Sequence, residues 1–378
     1  MSAHARWRAP NKGEEHDDLH PTSRSRCART RTERHGAGSL RRQQRRRRSR
    51  LHEAQHRRIR SSRSGQQGHR HRVQQDRRRQ GRHVQDVLRR LGDQSRAVVD
   101  GLPADYVHLS VATDVDRLVD AGLVDPTWDD GDNKGIVSTS VVVLGVREGN
   151  PKNIKGWDDL ARDDVEIVTA NPASSGAARW NALAAWGHIT ENGGTDAEAT
   201  AFLDKVFGNV VSLTNSGRDA TQGFLGGTGD VLLAYENEAI LAAQNGQGFD
   251  YIIPDTTLLI ENPGAVLKDA APAATDWLDF VLSTEGQKQF ALKGFRPLNI
   301  AEPGTADLAA VGLKASDIKG APDAADPFPK VKNLLTLTDN FGGPGWGGVK
   351  DKLFGDGKDG KPEGIVTKAI AKSGKASS

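Results

Sequence analysis

The chain has 378 residues, and its net charge of +3 hides a division into two parts. Residues 1–91 carry 27 basic and 8 acidic side chains, whereas residues 92–378 carry 25 basic and 41 acidic ones. No apolar run is long enough to span a membrane, and none follows the N-terminus as in a signal peptide, so we expect neither an anchor nor a secretion signal in the chain as written.

The first part, residues 1–91, has Trp7 as its single aromatic residue and only scattered aliphatic residues, so it is not expected to bury a core. The arginine run Arg41–Arg50 favours nucleic-acid binding only weakly, because such runs are common. The segment contains many arginines and one lysine. That bias is expected when a GC-rich gene is translated out of frame, and it predicts that residues 1–91 are non-native and disordered.

The frame hypothesis can be tested on residues 73–91, VQQDRRRQGRHVQDVLRRL. The segment can be encoded by codons whose third bases are chosen for the purpose. When these codons are translated from one base later, they read FSKTAAGKGGTFKTSYGA. The two bases that remain are the first two of a serine codon. This product joins in phase to the sequence that starts at Gly92. We therefore predict a frame change near Leu91.

The second part alternates strands and helices as an open α/β sheet does. The alternation predicts parallel strand pairing, with helices on both faces and ligands beyond the carboxyl ends of the strands. The predicted elements are a helix from Gly92, strand 104–112, helix 113–124, strand 138–146, a short helix 157–161, strand 166–170, a helix from Ser175, helix 196–207, strand 210–214, a helix from Gly217, strand 230–235 and helix 236–246.

Three strand-to-helix junctions carry small residues, at Gly92, at Ser174 and at Ser216. A helix N-terminus offers unpaired N–H groups and about half a positive charge, and small residues let an anion approach the backbone. Each junction alone is well explained as a Ser or Asn N-cap. Their recurrence indicates a small oxyanion held where the three helix ends converge.

Five blocks of sequence carry a resemblance to the bacterial sulfate-binding proteins of sulfate/thiosulfate ABC importers. They are GDQSRAVVDGLPAD, NPASSGAARWNALAAWG, GTGDVLLAYENEA, STEGQKQFALKGFRPLN and FPKVKNLLTLTDNFGG. The resemblance implies an α/β, two-lobed periplasmic-binding-protein fold of type II, each lobe an open sheet flanked by helices. We expect lobe one at 92–140 plus 254–378 and lobe two at 141–253, with crossings near 138–144 and 250–256.

The resemblance also implies the ligand donors. The serine hydroxyl of the family matches Ser175, and the backbone donors match Gly176, Ala177 and Gly217. The indole donor of the family falls on Tyr235, whose phenol has a different reach. The first-lobe donor falls on Leu91 and Gly92, where the family has Ser-Gly and where the alternative reading frame restores the serine.

The resemblance implies sulfate or thiosulfate as ligand, ABC permease subunits as partners, a periplasmic or lipid-anchored cell-envelope location, a monomer, and no cofactor, metal or nucleic acid. The residue types at the matched positions agree with sulfate as the ligand. Sulfate is fully deprotonated at neutral pH and suits a site of donors only, whereas hydrogen phosphate needs an acceptor. Molybdate and phosphate remain alternatives. We expect Arg179 to pair with a carboxylate and Asp219 to pair with Arg218.

A hydrolase using Ser174 or Ser175 is disfavoured, because residues 92–378 hold only His108 and His188 and neither spacing suggests a base with an orienting partner. The glycine-rich acidic stretch 354–364 lacks the alternating ligands of a calcium loop and is predicted to be a solvated hairpin or loop. The tryptophans are predicted to be helix core residues rather than a ligand cage: Trp157, Trp180, Trp186 and Trp277.

Overall fold

The computed structural model describes residues 94–298, 306–342, 345–358 and 360–375. The predictions made for residues 1–91 and for Gly92 lie outside these ranges.

The predicted succession of helices and strands from residue 94 to residue 246 is confirmed. The α-helices are α1 (Gln94–Val99), α2 (Ala112–Asp120), α3 (Gly176–Thr190), α4 (Asp196–Gly208), α5 (Gly217–Leu225), α6 (Glu236–Gln244), α7 (Ala273–Leu282), α8 (Thr284–Leu292), α9 (Lys350–Phe354) and α10 (Ile365–Lys372). The strands are β1 (Tyr106–His108), β2 (Ile136–Val146), β3 (Ile167–Ala170), β4 (Val210–Thr214), β5 (Val231–Tyr235), β6 (Asp250–Ile252), β7 (Thr256–Val266) and β8 (Asn333–Leu335). Short 3₁₀ helices lie at Trp157–Ala161, Ala309–Val311, Ala315–Asp317 and Gly345–Gly348.

The strands are ordered β1-β7-β2-β5-β3-β4, with β6 beside β2 and β8 beside β7. Within the described residues β1 is the last strand on its side. The other end of the order is β4, which pairs in parallel with β3.

The prediction of parallel pairing throughout is wrong for the two longest strands. The parallel pairs β3–β4 and β3–β5 follow the rule for strands joined by helical crossovers. Strand β2, however, is antiparallel to β5, β6 and β7, and β1 is antiparallel to β7. Strand β7 comes from a distant part of the chain and inserts between β1 and β2, so these two strands are not neighbours although they are consecutive in sequence.

Strand β2 changes partner halfway along its length. Residues up to Val141 pair with β7, and residues from Val142 pair with β5. This change falls inside the segment 138–144, where we predicted a crossing between lobes. Helix α10 packs against α4. The predicted division assigns α10 to lobe one and α4 to lobe two. The lobe boundaries stay a prediction.

Three of the four tryptophans lie in the core, as predicted. Trp157, Trp180 and Trp186 are each at most 2% exposed and belong to one apolar cluster. Trp277 is 51% exposed and lies against Phe280 on the outer face of α7, so its assignment to the core is wrong. Helix α7 has only Asp276 and Asp279 as charged residues, so its sequence does not mark Trp277 as facing outward. No helix among the described residues has the length and apolarity needed to cross a membrane.

Candidate functional site

The turn between β3 and α3 is fixed by Asn171. Its carbonyl accepts from the N–H groups of Ser174 (3.1 Å) and Ser175 (2.8 Å), and its side-chain oxygen accepts from the N–H of Ala173 (2.9 Å). Ser175 is the N-cap of α3 and is 3% exposed, yet its side chain makes no capping bond. The hydroxyl and the first N–H groups of α3 are therefore left for a ligand.

The N-terminus of α5 lies against that of α3. A Cβ added to Gly217, the first residue of α5, would lie 3.3 Å from the Cβ of Ala177. The Ser174 hydroxyl ties the two turns together by donating to the carbonyl of Asn215 (3.2 Å). Ser216 caps α5 by accepting from the N–H of Asp219 (3.1 Å). Two of the three predicted helix ends are thus adjacent.

A third helix end joins them from the β1–α2 turn, which the sequence analysis did not single out. A Cβ on Gly176 would lie 2.5 Å from the Cβ of Ser110, so the two backbones approach closely enough to require glycine. The indole Nε1–H of Trp180 donates to the carbonyl of Ser110 (2.6 Å). Val111 is the N-cap of α2 and provides no side-chain capping bond. The signal was present in the sequence, since Ser110-Val111-Ala112 is another small-residue junction between a strand and a helix.

Tyr235 ends β5 and is the N-cap of α6. It is 9% exposed, and its hydroxyl is buried without a hydrogen-bond partner among the described residues. Burial raises the pKa of the Tyr235 phenol well above its usual value. The phenol therefore stays protonated at neutral pH, and its O–H is a donor without an acceptor.

Two expected ion pairs beside the site are wrong. Arg179 donates from Nε to the carbonyl of Pro172 (3.0 Å) and from Nη1 to the hydroxyl of Thr113 (3.5 Å) instead of pairing with a carboxylate. Arg218 pairs with Glu238 (3.1 Å) rather than with Asp219. The Asp219 carboxylate accepts from the Ser216 hydroxyl (2.8 Å), and the N–H of Asp219 donates to that same hydroxyl (3.1 Å), so Asp219 belongs to the N-cap of α5.

Neither histidine of the described region hydrogen-bonds to Ser175. His108 Nε2 lies 3.1 Å from the hydroxyl of Ser138, and His188 Nε2 lies 2.9 Å from a carboxylate oxygen of Asp158. Burial lowers the pKa of His108 to about 4. The described residues thus supply no base for a serine nucleophile at this site.

The other candidate features lie elsewhere. A pocket of about 260 Å³ is lined by Trp157, Asp158, His188 and Thr256 among others, but by none of the predicted ligand donors. The glycine-rich stretch 354–364 forms a bridge between Asp356 and Glu363, as expected of a hairpin or loop. The described residues contain no cluster of His, Cys, Asp and Glu side chains suited to a metal ion.

The structure therefore brings together Ser175, Gly176, Ala177 and Gly217. Tyr235 contributes a buried hydroxyl without a partner among the described residues. Gly92 lies outside the described residues. The assembled groups are neutral donors at the N-termini of α2, α3 and α5, a chemistry that suits a small anion.

Known proteins are similar to this chain in sequence and in fold. Residues 66–296 match the family model described as bacterial extracellular solute-binding protein. The sulfate-binding protein of Synechococcus elongatus is 41% identical over 273 residues, which cover 70% of this chain and 72% of that protein. The thiosulfate-binding protein of Pseudomonas aeruginosa is 37% identical over 275 residues, with 70% and 76% covered.

A solved structure agrees with these relatives. The sulfate-binding protein SubI from Mycobacterium tuberculosis H37Rv matches with a TM-score of 0.61 and 41% identity, over 70% of this chain and 86% of that one. The α/β fold is thus that of the periplasmic binding proteins. The chain belongs to the family of bacterial extracellular solute-binding proteins, and the resemblance to sulfate-binding proteins is confirmed. The family match begins at residue 66, ahead of Gly92, and the frame change near Leu91 stays a prediction.

Proposed function

We propose that the chain binds sulfate or thiosulfate and delivers it to the permease of an ABC importer. The ligand lies at the N-termini of α2, α3 and α5, with the Ser175 hydroxyl, the N–H groups of Gly176, Ala177 and Gly217, and the Tyr235 phenol as donors. Gly92 is a further donor of this proposal. The native product works as a monomer in the periplasm or bound to the cell envelope.

The observation that carries the proposal is the Tyr235 hydroxyl. A buried O–H without an acceptor is costly, on the order of 1–3 kcal/mol, unless something supplies the acceptor. A bound oxyanion supplies one, and helix N-termini on the neighbouring elements favour its charge. Because the helix dipoles and N–H groups are already oriented, they hold a dianion without rearranging.

The donor set also favours sulfate over hydrogen phosphate. The donors named in this proposal include no carboxylate, and Asp219, the carboxylate closest in sequence to Gly217, directs its Oδ2 to the Ser216 hydroxyl (2.8 Å). Sulfate and thiosulfate carry no proton at neutral pH and need no acceptor, whereas hydrogen phosphate does.

Calorimetric titration of the chain with sulfate, thiosulfate, molybdate and phosphate at pH 7 tests the proposal. We expect sulfate or thiosulfate to bind at least tenfold more tightly than phosphate. Equal affinity for phosphate and sulfate would contradict the donor-only site, and preference for molybdate would replace the ligand while keeping the site.

A further inference from the structure

Trp180 is a core residue of α3 whose single polar atom bonds to the β1–α2 turn. Its side chain is 0% exposed, and its indole Nε1–H donates to the carbonyl of Ser110 at 2.6 Å. The ring of Trp346 packs against the indole edge to face, with 4.8 Å between the ring centroids. Packing therefore holds the indole in one orientation, with its N–H directed at the turn.

The β1–α2 turn lies where two apolar clusters meet. Val107 of β1 and Val115 of α2 belong to one cluster. Val111, which lies between them in sequence, belongs instead to the cluster that contains Trp180. The apolar packing of β1 and α2 on each other therefore does not by itself fix where the turn lies relative to α3.

The start of α2 also lacks a side-chain cap. Its N-cap, Val111, is extended, with φ of −142° and ψ of 144°, whereas α5 is capped by the Ser216 hydroxyl. In a planar trans peptide the carbonyl and the following N–H point in opposite directions. The bond from Trp180 to the Ser110 carbonyl thus fixes the plane of the peptide that leads into α2, and with it the direction of the first N–H groups of the helix, which have no acceptor within it.

We propose that Trp180 is a positioning residue for the anion: its indole N–H fixes the N-terminus of α2 beside that of α3 and orients the free N–H groups of α2 before the ligand arrives. Trp180 does not itself contact the ligand, because its N–H is taken by Ser110. Donors that are oriented in advance need no rearrangement on binding. The proposal rests on the proposed function, since it concerns the same anion site.

Trp157 provides a matched control, because its indole makes the same kind of bond elsewhere. It is 1% exposed, belongs to the same apolar cluster as Trp180, and donates from Nε1 to the carbonyl of Thr256 at 2.9 Å. The pocket that Trp157 lines contains none of the predicted ligand donors. Tryptophan to phenylalanine at either position removes one buried hydrogen bond and part of a buried ring, so both variants should lose stability.

Calorimetric titration of the full chain with sulfate at pH 7 compares the two variants. We expect Trp180→Phe to weaken sulfate binding by about three- to tenfold, the range for one net hydrogen bond, and Trp157→Phe to weaken it by less than about twofold. An equal loss in both variants, or no loss in Trp180→Phe, overturns the proposal. If Trp180→Phe does not fold, a tryptophan analogue with sulfur in place of the ring N–H keeps the ring size at position 180 and should show the same loss.

Amide hydrogen exchange at saturating sulfate gives a readout that a merely structural role would not move. We expect sulfate to slow exchange at residues 111–113 and 175–177 in the unaltered chain and in Trp157→Phe. In Trp180→Phe the protection of residues 111–113 should be weaker while that of residues 175–177 is kept, and full protection of both segments overturns the proposal. Absence of sulfate binding in the unaltered chain would overturn the proposed function itself, whereas sulfate binding with unchanged affinity in Trp180→Phe overturns only the role of Trp180.

Discussion

Arg296 and Glu236 form a bidentate ion pair in which neither side chain is exposed. The guanidinium Nε and Nη2 donate to the two carboxylate oxygens at 2.7 and 2.9 Å. Glu236 directly follows Tyr235, and the backbone of Arg296 exchanges hydrogen bonds with Thr139 on β2. The pair therefore fixes the turn that carries the proposed phenol donor against β2, one of the two longest strands of the sheet.

Removing one partner of this ion pair should lower the stability of the fold. Arg296→Met leaves the Glu236 carboxylate buried without its partner, and we expect the free energy of unfolding to fall by about 3–5 kcal/mol. Lys332→Met is the matched control, because its ion pair with Asp255 at 2.6 Å is exposed and should contribute less than about 1 kcal/mol. Urea unfolding measures both, and a loss in Arg296→Met no larger than in the control would contradict this account of the pair.

The close approach of α3 to the β1–α2 turn gives a steric prediction. Gly176→Ala places a methyl group 2.5 Å from the Cβ of Ser110, so one of the two backbones must move. We expect a destabilisation of about 1–3 kcal/mol together with weaker sulfate binding. The control is Gly223→Ala inside α5, where a Cβ meets nothing within 4 Å and should stabilise the helix by up to about 1 kcal/mol.

Thermal unfolding and calorimetry on the two glycine variants give the comparison. Sulfate affinity unchanged in Gly176→Ala would show that the packing of Ser110 on α3 does not shape the site.

Glu261, on β7 opposite Thr139, gives a prediction for pH. Burial, and next the charge of Asp339, raise the pKa of its carboxyl to about 7. The folded chain therefore binds a proton that the unfolded chain releases near its usual pKa of 4.5. The contribution to stability is complete below pH 4.5 and is lost as the pH rises through 7.

Glu261→Gln stays neutral and should escape this loss. We expect the free energy of unfolding of the variant to rise relative to the unaltered chain between pH 4.5 and 8. Glu148→Gln, at an exposed position, is the control and should show no such trend. A constant difference between Glu261→Gln and the unaltered chain across this range would show that Glu261 does not titrate with a raised pKa.

Part of this site was predictable from sequence because its chemistry is local. Ser175 and Gly217 follow strands and open helices, and small residues at such junctions indicate helix N-termini that accept an anion. Ser110 also lies at a small-residue junction between a strand and a helix. Its place in the site could not be predicted from sequence, because β7 inserts between β1 and β2 from more than a hundred residues away. Arg179 and Arg218 were mispaired for the same reason: their partners are set by packing between elements, and neighbours in sequence do not reveal it.

The hypothesis of a frame change near Leu91 predicts a difference in affinity. A chain in which residues 73–91 are replaced by FSKTAAGKGGTFKTSYGAS should gain the serine that the family has before Gly92. One hydrogen bond to a charged ligand is worth about 1.5–3 kcal/mol, so sulfate should bind at least about tenfold more tightly than to the unaltered chain. Equal affinities of the two chains in calorimetry would show that the alternative frame is not the native sequence.

The central claim, that a sulfate-like anion is held at the N-terminus of α3, is tested most directly by calorimetry on two neighbouring serines. The Ser175 hydroxyl has no bond to another described residue, whereas the Ser174 hydroxyl donates to the carbonyls of Asn171 and Asn215. We predict that Ser175→Ala weakens sulfate binding by about 1.5–3 kcal/mol, as for a hydrogen bond to a charged group, and that Ser174→Ala changes it by less than about 1 kcal/mol. Unchanged affinity in Ser175→Ala, or an equal loss in both variants, would contradict the claim.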